Sequence, residues 1–266
     1  MKAVPEPVAD QNPCRASMGI LVPVVNSVAE IDFHAMVPDD VRVYTARIQN
    51  REAESIFDSA TEHNRKKLDG VAEAAERIRH VRPDLVAFCC TSKSFIGGRD
   101  GNAEVTSAIA DITGTAVITA TSAILSALLT LGATTVGLGT PYLSQANEKL
   151  MEYLELEGFT VKVAKSIPWS DRYSPLAAYR LGQSVNQPGI DAILLSCTNF
   201  RAAEIAGLLE ADAGLPVVTS NQATVWACLR TLGIGERIHG YGRLLEEDGL
   251  RKTRDIGVAG IDQPPR

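Results

Sequence analysis

The sequence contains two similar stretches, DLVAFCCTSKSF at residues 84–95 and DAILLSCTNF at residues 191–200. Each begins with Asp, continues through an apolar run, and reaches Cys-Thr followed by Ser or Asn. A short apolar run is typical of a central strand in a parallel sheet, because helices cover both faces of such a strand. The two stretches therefore predict two equivalent buried strands, each with a Cys-Thr step at its carboxyl end.

The elements around these stretches follow the same order in both halves of the chain. Short apolar segments ending at Pro come first, MGILVP (18–23) and TTVGLGTP (134–141). Strand-helix pairs come last, GTAVITATSAILSALLTLG (114–132) and GLPVVTSNQATVWACLRTLG (214–233). Alternating strands and amphipathic helices predict parallel sheets covered by helices. We therefore predict an α/β fold of two pseudo-symmetric lobes, each a parallel sheet flanked by helices, with the active site in the cleft between the lobes.

The repeat also sets the expected domain limits. Lobe 1 is expected to comprise residues 18–119 together with 220–250, and lobe 2 residues 120–219. Polar, proline-containing segments precede and follow the lobes, so we expect an N-terminal arm at 1–17 and a C-terminal tail at 251–266.

Composition excludes several classes of function. The 266 residues are 45% hydrophobic and 22% charged, which is ordinary for a globular protein with a sizeable core. No apolar run approaches the ~20 residues that a membrane-spanning helix needs. A net charge of −6 without a long basic run gives no reason to expect nucleic acid as a partner. The first residues, MKAVPEPVADQNPCRAS, lack the apolar core of a signal peptide, so we expect a cytoplasmic protein without membrane association.

The cysteines favour free thiols over disulfides or metal ligands. An odd count of five, without a secretion signal, argues against a disulfide framework. There is no Cys-x-x-Cys, the four histidines have no ligand spacing to the cysteines, and no phosphate or dinucleotide loop is present. We therefore predict that the protein uses no metal and no organic cofactor.

Cys90 and Cys197 are the candidate reactive thiols. Both are expected at strand ends, where parallel α/β sheets bind ligands, although the segment after Cys90, TSKSFIGGRDG (91–101), is predicted to be a long loop. Helix N-termini and main-chain N–H groups there would attract carboxylates and lower thiol pKa values from ~8.5 to ~3.5–7.5. Cys89 should point to the opposite face of its strand. Cys89 and Cys228 suit the structural role that buried cysteines often have.

Four segments resemble a known family: GILVPVVN (19–26), CTS (90–92), GTPYLSQANEKLMEYLELEGF (139–159) and LLSCTNF (194–200). They are similar to the aspartate/glutamate racemase superfamily, and within it to the branch of maleate cis–trans isomerases and arylmalonate decarboxylases. The resemblance covers about residues 18–240. It implies two pseudo-symmetric α/β lobes with the active site between them, in agreement with the repeat.

The resemblance also implies roles for individual residues. Cys90 would be the nucleophile and Cys197 its acid–base partner. Asn26, beyond Pro23, would bind a substrate carboxylate close to the first cysteine, and the Tyr142 hydroxyl would bind the same carboxylate. The remaining anion-binding groups would come from Thr91, Ser92, Thr198 and Asn199.

Two departures from the family pattern bear on the substrate. The decarboxylases carry Gly where Cys90 stands, so a thiol on each side argues against simple decarboxylation. Maleate isomerases tend to have an Asn for the distal carboxylate in the segment that here is IPWSDRYSPLAAYRL (167–181), which contains none. Arg172 could bind that carboxylate by a bidentate contact. Equally, Trp169 and Tyr173 could shape a pocket for a bulkier or less charged group.

The leading hypothesis is a cofactor-independent isomerase of a small carboxylic acid, and most specifically one that converts maleate to fumarate. Paired thiols suit an aspartate- or glutamate-type racemase equally well, since one thiolate can remove an α-proton and the opposite thiol can return one. An arylmalonate-type decarboxylase and a non-enzymatic two-lobed protein that closes on an anion are the further alternatives. The expected partner is a small carboxylate, and the family resemblance suggests a homodimer or larger homo-oligomer.

Overall fold

The computed structural model describes residues 14–49, 63–168, 170 and 173–247, with the main chain alone at 63–69. Within these residues eight strands form two four-stranded parallel sheets. The first sheet, in the order β2-β1-β3-β4, contains β1 (Ala16–Pro23), β2 (Val41–Ile48), β3 (Leu85–Phe88) and β4 (Ala116–Thr119). The second, in the order β6-β5-β7-β8, contains β5 (Thr135–Thr140), β6 (Thr160–Ser166), β7 (Ala192–Leu195) and β8 (Val217–Thr219). The strand order of the first sheet recurs in the second, which confirms the predicted pseudo-symmetric α/β fold.

Helices connect the strands and flank both sheets. The first half contains α1 (Ala29–Met36), α2 (His63–Ile78), α3 (Thr91–Phe95), α4 (Gly98–Thr113) and α5 (Ala120–Thr130). The second half contains α6 (Ser144–Leu156), α7 (Pro175–Val185), α8 (Ala206–Ala213), α9 (Ser220–Thr231) and the short α10 (Arg243–Glu246). The long loop predicted over 91–101 is wrong, because α3 begins directly after Cys90 and α4 follows it closely. No helix in the described ranges is long and apolar enough to cross a membrane.

The register of the first sheet brings two predicted site residues to the same level. Leu21 of β1 pairs with Phe88 of β3. Two residues further along, Pro23 ends β1 beside Cys90 at the carboxyl edge of the sheet. Ligands bind at this edge in parallel α/β proteins, so the first thiol lies where a substrate is expected.

The second sheet repeats this arrangement. Gly139 of β5 pairs with Leu195 of β7. Pro141 and Cys197 each lie two residues further along, so they are at the same level. Gly139 is needed here because a Cβ at this position would lie 2.9 Å from Cγ of Leu181. Helix α7 therefore packs directly on β5 and supports the strand end that leads to the second half of the site.

Helices α5 and α9 begin at the carboxyl edges of the two sheets without an intervening loop. Thr119 accepts a hydrogen bond from the main-chain N–H of Ser122, and Thr219 accepts one from Gln222. In both helices the side chain of the third residue returns the bond, which makes a reciprocal capping box. These caps place the first turn of each helix beside a Cys-Thr step.

The limits of the two lobes remain a prediction. Helices α5 and α9 pack against each other, and each contacts both β4 and β8. Strand β1 begins at Ala16, so the predicted arm at 1–17 includes the first strand residues. Residues 1–13 of that arm and the predicted tail at 251–266 lie outside the described residues.

Candidate active site

The Tyr142 hydroxyl connects the two Cys-Thr steps. Its side chain is buried, and the Cys197 thiol and the Thr91 side chain both lie close enough to its hydroxyl to change the pKa of that hydroxyl. The Tyr142 ring packs against Phe95 of α3, with ring centroids 5.9 Å apart. Burial raises the pKa of Tyr142 well above its ordinary value, and the neighbouring Cys197 and Cys90 raise it further. The hydroxyl therefore stays protonated at neutral pH and can donate a hydrogen bond to an anion.

Cys197 is buried as a neutral thiol. Burial raises its pKa to about 12, although the main-chain N–H of Asn199 and the Tyr142 hydroxyl act in the opposite direction. The Asn199 N–H donates to the Cys197 sulfur at 3.4 Å. The lowered pKa expected from the sequence is therefore wrong for Cys197, because the cost of removing the thiolate from water exceeds the gain from these donors. In this state Cys197 can act as a proton donor.

Cys90 lies close to Cys197 in the opposite lobe. Cys90 is close enough to Cys197 to contribute to the raised pKa of that thiol, so the two sulfurs interact across the site. The Cys90 sulfur lies 3.8 Å from the Ser92 hydroxyl. Cys90 also immediately precedes α3, so the first turn of that helix begins beside the sulfur. The structure thus brings the predicted residues Cys90, Thr91 and Ser92 together with Cys197 and Tyr142.

Asn26 contacts the second Cys-Thr step. It lies in a turn after Pro23, and its Nδ2 donates to the Thr198 hydroxyl at 3.1 Å. Its Oδ1 accepts hydrogen bonds from the main-chain N–H groups of Val28 and Ala29, at the start of α1. The amide therefore stabilises the start of a helix and holds Thr198, and its predicted contact with a substrate carboxylate remains a prediction.

Thr198 and Asn199 connect the lobes. The Thr198 hydroxyl donates to the main-chain carbonyl of Cys89 at 3.0 Å, and Oδ1 of Asn199 accepts from the main-chain N–H of Ser27 at 2.9 Å. Both bonds join the loop after β7 to the carboxyl edge of the first sheet. These contacts fix the second Cys-Thr step against the first.

Thr91 is held by α5 and α9. Its hydroxyl donates to the Ser220 hydroxyl at 3.2 Å. Its main-chain carbonyl accepts from the hydroxyls of Ser94 at 2.8 Å and Thr121 at 3.3 Å. Ser94 and Thr121 also hydrogen-bond to each other. A network of hydroxyl groups thus holds the side chain and the main chain of the first Cys-Thr step in place.

Cys89 adjoins this cluster through its main chain, but its thiol lies near Cys228 in the hydrophobic core. Both are fully buried in the core, and the Cys89 sulfur lies 3.9 Å from the main-chain carbonyl of Ala87. Burial raises the pKa of both thiols, so each stays neutral. Their surroundings fit the structural role predicted for them.

The loop predicted to determine the substrate is partly described. Arg172 and Trp169 lie outside the described residues. The Tyr173 hydroxyl donates to the carbonyl of Pro168 at 2.9 Å and accepts from the main-chain N–H of Ser170. Burial raises the pKa of Tyr173 to about 12, and Cys197 adds to the shift, so this loop approaches the second thiol. The role of Arg172 remains a prediction.

Three contributing residues are not found by the sequence analysis: Thr121, Ser220 and Asn221. All three lie in the first turns of α5 and α9. The signal that could have found them is the closing repeat, TATSA at 119–123 against TSNQA at 219–223, in which polar side chains follow the capping Thr. In the described part of the chain, no group of three or more His, Cys, Asp or Glu side chains is arranged to hold a metal ion.

Comparison with known proteins identifies the family and supports the fold. A family model described as arylmalonate decarboxylase matches residues 19–245. The arylmalonate decarboxylase of Bordetella bronchiseptica is 30% identical over 189 residues, which cover 68% of this chain and 78% of that protein. The maleate isomerase of Nocardia farcinica is 28% identical over 185 residues, which cover 64% of this chain and 72% of that protein.

A solved structure extends the likeness to the fold. It is a cysteine-to-serine variant of the Nocardia farcinica maleate cis–trans isomerase with a covalently bound succinylcysteine intermediate. It superimposes with a TM-score of 0.77 at 23% identity and covers 88% of this chain and 99% of that chain. These matches confirm the resemblance inferred from the sequence: the chain belongs to the arylmalonate decarboxylase family.

Proposed function

We propose that this chain is a cofactor-independent isomerase of a small unsaturated dicarboxylate, and specifically that it converts maleate to fumarate. The observation that carries the proposal is the position of the buried Tyr142 hydroxyl, which lies beside the Cys197 thiol, Cys90 and Thr91. One buried donor thus lies between two thiols from different lobes. This arrangement suits a reaction in which one sulfur bonds to carbon and the other moves a proton.

Cys90 is the nucleophile in the proposed mechanism. Its thiolate electron pair forms an S–C bond to one alkene carbon of maleate, and the π pair moves toward the other carbon and its carboxylate. The product of this step is an enediolate in which the former double bond is single. Tyr142 and the N–H and hydroxyl groups around the two Cys-Thr steps stabilise the added charge on oxygen.

Cys197 supplies the proton. Because its pKa is raised to about 12, it carries a proton at neutral pH and can give it to the enediolate carbon. The result is a succinyl thioether on Cys90 and a thiolate at Cys197. After rotation about the central C–C bond, the Cys197 thiolate removes a proton from the same carbon, the double bond re-forms and the Cys90 sulfur leaves. Fumarate is released with no net gain or loss of protons.

The relatives support the isomerase chemistry. The Nocardia farcinica structure holds a succinylcysteine intermediate, which is the adduct that this mechanism forms. Cys90 itself also favours this chemistry over simple decarboxylation, because the decarboxylases that the chain resembles have Gly at that position.

A proton NMR assay in D₂O tests the proposal. With the purified protein, the alkene signal of maleate should be replaced by that of fumarate, and part of the fumarate should carry deuterium because the Cys197 proton exchanges with solvent. The Cys90→Ser variant is the matched control and should leave most of the maleate unchanged over the same time. Unchanged maleate with the wild-type protein would contradict the proposal.

Decarboxylation of an arylmalonate is the second candidate, because the 30% identical relative is an arylmalonate decarboxylase. In the same assay phenylmalonate would lose CO₂ and give a phenylacetate signal. Aspartate and glutamate in parallel tubes test racemisation through loss of the α-proton signal.

Cytoplasmic location and a homo-oligomeric state remain predictions. Size-exclusion chromatography tests the oligomeric state.

A further inference from the structure

A buried carboxyl group lies behind the second Cys-Thr step. Asp32 of α1 is 9% exposed, and its Oδ2 accepts a hydrogen bond from Nδ2 of Asn221 at 2.7 Å. Asn221 lies in the first turn of α9 and is 2% exposed. The same Nδ2 donates to the main-chain carbonyl of Thr198 at 3.0 Å. One amide group therefore joins the carboxyl group of α1 to the residue after Cys197.

The peptide unit that Asn221 holds is the one that faces the Cys197 sulfur. The Thr198 carbonyl and the Asn199 N–H belong to the same planar peptide group. Its carbonyl accepts from Asn221, and its N–H donates to the Cys197 sulfur at 3.4 Å. Fixing the carbonyl therefore fixes the direction of the N–H. The path from carboxyl group to thiol consists of three hydrogen bonds and one peptide unit.

The orientation of the Asn221 amide is determined by its neighbours. Both Oδ2 of Asp32 and the Thr198 carbonyl are acceptors, so the NH₂ group must face them. Its Oδ1 is buried without a hydrogen-bond partner among the described residues. An unpaired buried oxygen is costly. The hydrogen bonds of Asn221 therefore come from its NH₂ group, which joins Asp32 to Thr198.

The first Cys-Thr step has a different support. Thr121 occupies the place in α5 that Asn221 occupies in α9, and its hydroxyl donates to the Thr91 carbonyl at 3.3 Å. Its other hydrogen-bond partner in the described residues is the neutral Ser94 hydroxyl. Among the described residues, the carboxyl group is therefore a feature of the Cys197 side, and it makes the two halves different.

We propose that Asp32 and Asn221 are positioning residues for Cys197, which hold the 198–199 peptide so that its N–H stabilises the thiolate left when Cys197 gives up its proton. The inference rests on the proposed function in taking Cys197 as the proton donor. It goes beyond that function by assigning roles to two residues outside the set that the family resemblance implies.

The surroundings of Asp32 bear on this role. Burial raises the pKa of Asp32 to about 7, Asn221 acts in the opposite direction, Glu204 raises it and Arg201 lowers it. Tyr241, from the segment before α10, also faces this carboxyl group. Asp32 therefore changes its charge near neutral pH, and the strength of its bond to Asn221 changes with it.

The test measures the alkylation of each thiol without using turnover. Wild type, Asn221→Ala, Asn221→Ser, Asp32→Ala and Asp32→Asn are treated with iodoacetamide at pH 8, and peptide mass spectrometry follows Cys90 and Cys197 separately. Glu210→Gln is the matched control, because Glu210 is a buried carboxyl group bonded to the main chain of Val217 and Arg243. Circular dichroism verifies the fold of every variant.

The proposal expects alkylation of Cys197 to slow by about three- to tenfold in Asn221→Ala and Asp32→Ala, since the reactive species is the thiolate. Cys90 should change by less than about twofold, and Asp32→Asn, which keeps an acceptor for Asn221, should recover most of the wild-type rate. If Asn221→Ala fails to fold, Asn221→Ser and Asp32→Ala decide the question. Unchanged Cys197 reactivity, or equal slowing at Cys90 and Cys197, would overturn the proposal. Because no substrate is used, a failure here is distinguishable from inactivity toward maleate.

Discussion

Cys89 and Ser196 occupy matching positions in the two sheets. The main-chain N–H of Cys89 donates to the Leu21 carbonyl at 2.9 Å, and that of Ser196 donates to the Gly139 carbonyl at 3.0 Å. Each residue is the last before a candidate catalytic cysteine. The matched bonds therefore place Cys90 and Cys197 at equivalent positions in the two halves of the chain, so that their difference in chemistry must come from their surroundings.

Replacing either candidate catalytic thiol should remove most of the isomerase turnover. We expect Cys90→Ser and Cys197→Ser each to lower kcat by ~10²–10⁴-fold, the range typical of a lost acid–base group, while the circular dichroism spectrum stays unchanged. Incubation of Cys197→Ser with maleate, followed by mass spectrometry, should find the adduct on Cys90. An adduct on no cysteine, or full turnover in both variants, would contradict the assignment.

Tyr142→Phe should show what the hydroxyl contributes to turnover independently of the ring. The ring contact with Phe95 is kept, and the hydroxyl beside Cys197 and Thr91 is lost. We expect kcat to fall by ~10²–10³-fold, as for loss of one donor to a developing oxyanion. Steady-state kinetics with maleate measure this. Tyr153→Phe on α6 is a matched control and should leave kcat within about twofold.

Cys89→Ala should affect stability and spare catalysis. The thiol is fully buried in the core, so its removal leaves a small cavity and should cost about 1 kcal/mol or somewhat more in the free energy of unfolding. We expect kcat to stay within about twofold of wild type. Denaturant unfolding and the maleate assay measure the two quantities, and a large loss of kcat without unfolding would place Cys89 in the chemistry.

Asp32→Asn should remove a pH-dependent cost to stability. The folded-state pKa of Asp32 is raised from 3.8 to about 7, so the folded protein holds a proton that the unfolded chain releases over this interval. Stability contributed by this group is therefore present below pH 3.8 and is lost as the pH rises to about 7. Across that window the free energy of unfolding of Asp32→Asn should rise relative to that of wild type. The rise should reach at most about 4 kcal/mol, at 1.36 kcal/mol per pKa unit.

Thermal unfolding between pH 4 and 8 measures this gain. Glu152→Gln, which removes an exposed carboxylate of α6, serves as the control and should show a constant difference from wild type. A difference between Asp32→Asn and wild type that does not grow with pH would mean that the Asp32 carboxyl group does not titrate in this range.

The sequence predicts the fold and the pairing of the thiols well, because both depend on local pattern. The apolar runs before Cys90 and Cys197 predict the two central strands, and the repeat predicts their equivalence. The raised pKa of Cys197 could not be predicted, since it depends on how completely the packing of the lobes excludes water. The contact between Asn26 and Thr198 could not be predicted either, because it joins residues from opposite halves of the chain.

The packing of α5 against α9 has a consequence for how the chain folds. The two helices come from opposite halves of the sequence, yet each covers apolar surface of both sheets. Neither half can complete its core before the other has formed, so the structure depends on contacts between residues that are far apart in the chain. We expect the two halves to unfold in one cooperative transition and a fragment ending near residue 132 to stay unfolded. Such dependence on distant contacts also makes folding slow compared with helical proteins of similar size.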